Sequence, residues 1–430
     1  MMTKTVVSSD ALGESYYCYR HPSGLEAVLY PMPQFSSVYA LFGTRYGSID
    51  NTLYEPDGTK TEVPEGIAHY LEHKMFEKED GDVSAHFSAI GANSNAFTSF
   101  ECTSYLFSTT GQAEEALRTL IQFVQTPYFT EESVRKERGI IDQEIRMYED
   151  DPNWRVFFHM LENLYHAHPV RLDVAGSSSS IANITPELLY RCYGAYYNPA
   201  NMVLAVAGNI DPDRIAAIVE ETARNDVPPV IPKKEPIHEP DTIVRSYSEE
   251  KLAVSAKLFH IGFKERPVSA DIELETQLYY TLLNELIAGR SSALYQRLYE
   301  EKAINASFGK DIMIGRDFAV NIFSGEAENP EYIAEEIVSA ANKLRKNGIS
   351  DEDFSRVLKS LYGQSVMMFG EVDQTANALL SAHLSKRTLF DALSILKNVQ
   401  KKNLEQLLSH SYQKDKMTLS VVLPQDILKA

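Results

Sequence analysis

Gly66-Ile67-Ala68-His69-Tyr70-Leu71-Glu72-His73-Lys74-Met75-Phe76 is the stretch around which the rest of the chain is organised. Ile67, Tyr70, Leu71, Met75 and Phe76 supply the apolar faces of a helix held inside a protein, and Pro64 and Glu65 suit its start. In such a helix His69 and His73 stand one turn apart on one face, and Glu72 lies beside them. Two neutral imidazoles from adjacent turns can bind one zinc ion, and a carboxylate on the same face can take a proton from water at the metal. A surface helix with two incidental histidines is the plainer reading, and the apolar faces argue against it.

The chain has 430 residues, too many for one ordinary core, which predicts two domains of about 200 residues each. Hydrophobic residues make up 44%, as in a globular protein. A net charge of −19 speaks against nucleic acid or an anionic membrane surface as a partner, because phosphates repel it. Cys18, Cys102 and Cys192 are odd in number and widely spaced, which describes neither a disulfide framework nor a cysteine zinc cluster and fits a reducing compartment. The first residues lack the apolar core of a secretory signal, and no run approaches membrane-spanning length. The expectation is a soluble, cytoplasmic protein.

Strand-like runs at 27–30 and 37–42 precede a polar loop at 50–63 and the motif helix. A short helix over 82–90 ends at Gly91. Two β-rich runs follow, one containing Asn95-Ala96-Phe97-Thr98 and the other at 103–108. Helical spacing returns at 111–125, 131–149, 153–165, 186–197 and 211–223, with an apolar strand at 202–207. Residues 226–243 hold five prolines, which exclude a regular helix and make this the best linker. The second half restarts with a strand at 253–262, helices at 270–288 and 292–301, and a strand at 318–324. Further helices reach Ser411, and a final strand spans 417–423.

Tyr197, Met202, Leu204 and Val206 recur at the same spacing, half the chain later, as Tyr412, Met417, Leu419 and Val421. Each half thus closes with the same helix-to-strand step, which predicts a duplicated domain. The expected architecture is α+β with two homologous domains, each a mainly antiparallel sheet packed with helices. The division is an N-terminal zinc-binding domain at 1–225, a linker at 226–243 and a similar C-terminal domain without a metal site at 244–430.

Two histidines leave zinc short of the usual three protein ligands. The helix at 131–149 offers Glu137 and Glu144, two turns apart on one face. Glutamates in so charged a segment are ordinarily solvated, but Ile140, Ile141 and Ile145 indicate that part of this helix is buried. A carboxylate on that side needs a partner.

His69-Tyr-Leu-Glu72-His73 reverses the order of the common zinc-protease helix. Together with Asn95-Ala96-Phe97-Thr98-Ser99, Thr103, Tyr105, and Glu137 with Glu144 before Asp151-Pro152, it resembles the insulinase and pitrilysin family of zinc metallopeptidases, the inverzincins. Within that family the chain is similar to the bacterial relatives of mitochondrial processing peptidase, with high specificity over the first half and in size and layout over the second. The resemblance implies one zinc ion per chain on His69, His73 and Glu144, with Glu72 as general base and Glu137 as the acid that holds the site. It implies that Asn95, Ala96, Phe97 and Thr98 form a sheet edge on which a short or unfolded peptide adds as a strand, the Asn95 side chain fixing its backbone. An unpaired edge beside a metal presents a peptide without demanding much of its sequence.

Family members that complete the site from a later domain carry an arginine followed by a tyrosine, in a segment that resembles Gly289 to Ser307. Here Tyr299 and Ala306 align with those positions, with Arg290 or Arg297 as alternatives. In that family these groups come from the facing half of a clam-shaped chamber. The expectation is a zinc-bearing half of a heterodimer whose partner lacks zinc and supplies them, a homodimer being the other pairing. A non-proteolytic subunit that keeps zinc for structure is the rival reading, and Glu72 argues against it because a structural site needs no general base. The sequence lacks a Gly-x-Ser-x-Gly elbow, a Gly-x4-Gly-Lys phosphate loop and a Gly-x-Gly-x-x-Gly after a strand. His86, His159, His260, His383 and His410 lack acidic partners at ligand spacing, and Lys74 and Lys78 are expected to solvate the outer face of the motif helix.

Overall fold

The structure is a computed structural model that describes residues 2–54 and 58–425. Three residues of the polar loop at 50–63, and the first and last residues of the expected domains, lie outside the described residues. The first half carries β1 (Thr3–Ser9), β2 (Glu14–Arg20), β3 (Glu26–Pro31), β4 (Val38–Thr44), the pair β5 (Thr52–Tyr54) and β6 (Lys60–Glu62), and α1 (Ile67–Phe76). The pair β7 (Glu77–Lys78) and β8 (Gly81–Asp82) follows, then α2 (Val83–Ala89), β9 (Ala92–Thr98), β10 (Thr103–Thr109), α3 (Ala113–Gln125), α4 (Glu131–Glu149), α5 (Pro152–Leu164) and β11 (Met202–Gly208). The second half carries β12 (Tyr247–Leu252), β13 (Leu258–Lys264), β14 (Gly309–Gly315), β15 (Phe318–Glu326) and β16 (Met417–Pro424) among its helices.

The chain forms two compact units. Unit 1 comprises Met1–Ile145, Asp173–Glu235 and Val366–Asp391, and unit 2 comprises Arg146–Leu172, Pro236–Ser365 and Ala392–Ala430. The step from Glu235 to Pro236 falls within the proline-rich stretch. The units are nevertheless not sequential halves, because α5 belongs to unit 2 and the helix Val372–Leu384 belongs to unit 1.

Among the described residues, the sheet of unit 1 runs β1-β2-β3-β11-β4-β10-β9 and that of unit 2 runs β12-β16-β13-β15-β14. In each sheet one pair is parallel, β3 with β11 and β12 with β16, and the other pairs are antiparallel. The order β3-β11-β4-β10-β9 is the order of unit 2 element for element, and β11 and β16 are the two strands of the sequence echo. The α+β architecture with two homologous domains is therefore present.

Apolar content dictates how each sheet is covered. β11, Met-Val-Leu-Ala-Val-Ala-Gly, is buried at every position because both faces of its sheet are packed. On one face Val28, Leu41, Val203 and Ala205 meet Ala376, Leu379 and Leu380 of the helix Val372–Leu384. In unit 2, α5 packs on β13 and β16 in the corresponding way.

Several elements differ from expectation. β11 lies between β3 and β4, so the two strands joined by the turn at 32–37 do not pair with each other. The hairpin β1–β2 and strands β12 and β14 are additional, and the strand expected at 253–262 is β13, which starts later, at Leu258. The motif helix begins at Ile67 rather than at Pro64, because Gly66 takes a left-handed conformation with φ 82°. A Cβ there would stand 2.3 Å from the Ala175 carbonyl oxygen, so the close approach also requires glycine.

Candidate metal centre

α1 and α4 build the site, and the parts of both helices that carry it lie within unit 1, which takes α4 as far as Ile145. The Tyr70 hydroxyl on α1 donates to the Val134 carbonyl on α4, fixing one helix against the other. Phe76 packs against Tyr105 of β10 and Phe123 of α3, which anchors the far end of α1. These contacts turn His69, His73 and Glu72 toward α4, the edge of the sheet and one another.

The His69 and His73 rings lie 4.6 Å apart between centroids. Glu144 reaches both, with Oε1 3.7 Å from His69 Nε2 and Oε2 3.3 Å from His73 Nε2. One donor atom from each of His69, His73 and Glu144 lies within 4.8 Å of the others, a group that could hold a metal ion. Glu137 Oε1 stands 3.1 Å from His73 Nδ1. A proton on Nδ1 toward Glu137 leaves Nε2 as the ring nitrogen that faces Glu144 and that a metal would take, and gives the ring the outer partner that metal-bound histidines ordinarily have.

The electrostatics suit a cation. Burial, with His73 beside it, lowers the His69 pKa to about 4, which keeps its lone pair available at neutral pH. Burial also disfavours charge on His73, but hydrogen bonds to Glu137 and Glu144 outweigh it and raise its pKa to about 10. A positive charge between those carboxylates is thus strongly stabilised, and a divalent ion satisfies the same demand. Two imidazoles, a carboxylate and an orienting carboxylate fit zinc.

Glu72 is 8% exposed, and burial raises its pKa to about 7 against the lowering effect of a hydrogen bond from Thr98. Thr98 Oγ1 donates to Glu72 Oε2 at 2.6 Å. Below it the hydroxyls of Tyr105 and Tyr197 pair at 2.7 Å. The role of Thr98 in holding Glu72 was not read from sequence, although Thr98 lies inside the quoted Asn95–Ser99 run.

Asn95, Ala96, Phe97 and Thr98 lie on β9, which is the last strand of its sheet and pairs only with β10 among the described residues. Asn95 and Phe97 are exposed on one face, while Thr98 turns toward Glu72 on the other. The Asn95 side chain accepts from the Ala96 N–H. Lys74 contradicts its expected place: it is fully buried and paired with Glu77, while Lys78 donates to the carbonyls of Phe123 and Thr126. Ile140 is exposed, whereas Ile141 and Ile145 are buried as expected. In unit 2, Arg297 is engaged by Glu336, Glu301 and Tyr332, while Tyr299 is half exposed and Arg290 is exposed.

Residues 57–178 match the family model described as insulinase (peptidase family M16), and residues 183–361 match the peptidase M16 inactive domain. The uncharacterized zinc protease YmfH of Bacillus subtilis is 38% identical over 97% of this chain and 99% of its own length. The chain belongs to peptidase family M16. A solved M16-like peptidase from Alicyclobacillus acidocaldarius superposes with a TM-score of 0.90 at 35% identity, covering 95% of this chain and 98% of that one. Pitrilysin shares the fold, with a TM-score of 0.79 at 18% identity over 99% of this chain and 46% of the other. No helix among the described residues is long and apolar enough to cross a membrane.

Proposed function

We propose that this M16 chain is a zinc-dependent endopeptidase acting on short or unfolded peptides, with His69, His73 and Glu144 as zinc ligands. The observation that carries the reading is the convergence of both Nε2 atoms on the Glu144 carboxylate, with the buried Glu72 alongside. When bound, zinc supplies Lewis acidity that brings the pKa of water at the site toward about 7.

The chain's own residues do the remaining work. Glu72 accepts the proton of the attacking water and returns it to the leaving amine. Thr98 fixes the Glu72 carboxylate through its hydroxyl, and Glu137 fixes the tautomer of His73. The open edge of β9 receives the peptide as an added strand, with Asn95, Ala96, Phe97 and Thr98 lining it. The catalytic centre is assigned to the N-terminal domain at 1–225, and among the described residues of the C-terminal domain at 244–430 no such pair of histidines meets a carboxylate.

Tyr299 and Ala306 stand where related enzymes carry an arginine and a tyrosine, and Arg297 is held by its own ion pairs. This supports a heterodimer whose other chain supplies those groups, with a homodimer as the other pairing. Three widely spaced cysteines support a cytoplasmic location. The alternative, a zinc-binding subunit that cleaves nothing, makes a different forecast. Wild type and Glu72→Gln are compared for zinc at this site and for peptide cleavage, alone and with related chains from the same cell. Equal zinc in both with cleavage only in the wild type supports the proposal. Equal zinc with no cleavage in either, under every pairing, supports the non-proteolytic subunit.

A further inference from the structure

Cys18 on β2, Glu26 on β3 and His383 on the helix Val372–Leu384 meet inside unit 1, although 365 residues separate His383 from Cys18 and 357 separate it from Glu26. His383 is 6% exposed. Its Nδ1 lies 3.2 Å from Glu26 Oε1, and its Nε2 lies 2.9 Å from the Tyr16 hydroxyl and 4.0 Å from Cys18 Sγ. One donor atom from each of Cys18, Glu26 and His383 lies within 4.8 Å of the others. None of the three is among the residues proposed to handle peptide or zinc. Apolar side chains would fill this space between strands and helix without desolvating a carboxylate, so packing alone does not account for the trio.

We infer that Cys18, Glu26 and His383 form a second metal site, which takes a thiophilic divalent cation such as zinc, cobalt or cadmium through one sulfur, one nitrogen and one oxygen. Thiolate and carboxylate together neutralise the ion, and the thiol proton passes to solvent as the sulfur–metal bond forms. With Nδ1, the nitrogen beside Glu26, taking the ion, Nε2 already has an outer partner in the Tyr16 hydroxyl. Two cations lie close by. Arg20 sits opposite Glu26 in the β2–β3 register, and Arg45 donates to the carbonyls of His383 and Leu384. They oppose a hard cation that would be held by the carboxylate alone, and so select an ion able to displace the thiol proton. Bound there, the ion ties the early strands β2 and β3 to a helix from late in the chain.

The peptidase centre holds no cysteine, so a sulfur signature separates the two sites. The full-length, metal-free chain is titrated with Co²⁺ and its near-ultraviolet thiolate-to-cobalt charge-transfer band is followed. The expected result is uptake of about two equivalents with the band present in the wild type. Cys18→Ser loses the band and one equivalent and keeps the peptidase activity of the zinc-loaded protein. His69→Ala loses the other equivalent and keeps the band, so the second site stands or falls independently of the first. Saturated wild type without the band overturns the proposal and needs no variant that must fold. A band that survives Cys18→Ser overturns it equally.

Discussion

Glu137 Oε1 lies 3.1 Å from His73 Nδ1, on the side of the ring away from the nitrogen that faces Glu144. The contact sets which nitrogen carries the proton and holds the ring plane. Glu137→Gln removes the charge and keeps the shape. Zinc affinity is expected to fall by about 10- to 100-fold, read by competition with a chromophoric chelator. Unchanged affinity would show that Glu137 merely fills space.

Thr98 reaches Glu72 by a hydrogen bond from a side chain on the sheet edge. Thr98→Val keeps the volume and removes the donor, costing on the order of 1.5–3 kcal/mol where the partner is charged. The expected outcome is a kcat lower by roughly 10- to 100-fold, with zinc content preserved. A loss confined to KM would assign Thr98 to peptide binding alone.

Gly66 has φ 82° and no room for a Cβ beside the Ala175 carbonyl. Gly66→Ala must shift the start of α1, and with it His69. A loss of about 2 kcal/mol or more is expected in denaturant unfolding, together with weaker zinc binding. A midpoint equal to wild type would show that the loop at 173–176 yields freely.

Glu265 in unit 2 provides a pH test away from the metal. Burial raises its pKa from 4.5 to about 7, even though it accepts hydrogen bonds from the Tyr412 N–H, Asn321 and Tyr280. Because the folded state binds the proton more tightly, the stabilisation from this group is complete below pH 4.5 and is lost as pH rises through about 7. The change amounts to roughly 3 kcal/mol. Glu265→Gln should therefore gain stability relative to wild type as pH rises over that interval, measured by urea unfolding. A difference independent of pH would place the ionisation elsewhere.

How far the sequence carried these conclusions depended on whether partners were near in the chain. His69, Glu72 and His73 share one helix, so their spacing alone displayed them. Glu144 is on another helix, and periodicity left it level with Glu137; the family resemblance separated the two roles. Tyr197 and Tyr412 revealed the duplication because both close the same topological step. The hairpin β1–β2 went unread because β1 is largely exposed and polar, which leaves no apolar alternation to detect. Lys74 was misplaced because charge ordinarily signals solvent, whereas α1 is enclosed on nearly every side. His383 was set aside because its partners Tyr16, Cys18 and Glu26 lie at the other end of the chain, a distance that local patterns do not cross.

The central claim is that one ion sits between α1 and α4. Crystals of the zinc-loaded protein, measured at the zinc absorption edge, test it most directly. The expected result is an anomalous peak about 2.0–2.2 Å from His69, His73 and the Glu144 carboxylate, with the Glu72 carboxylate beside it and outside bonding distance. A zinc-replete crystal with no peak there, or with Glu144 turned away from it, would contradict the account.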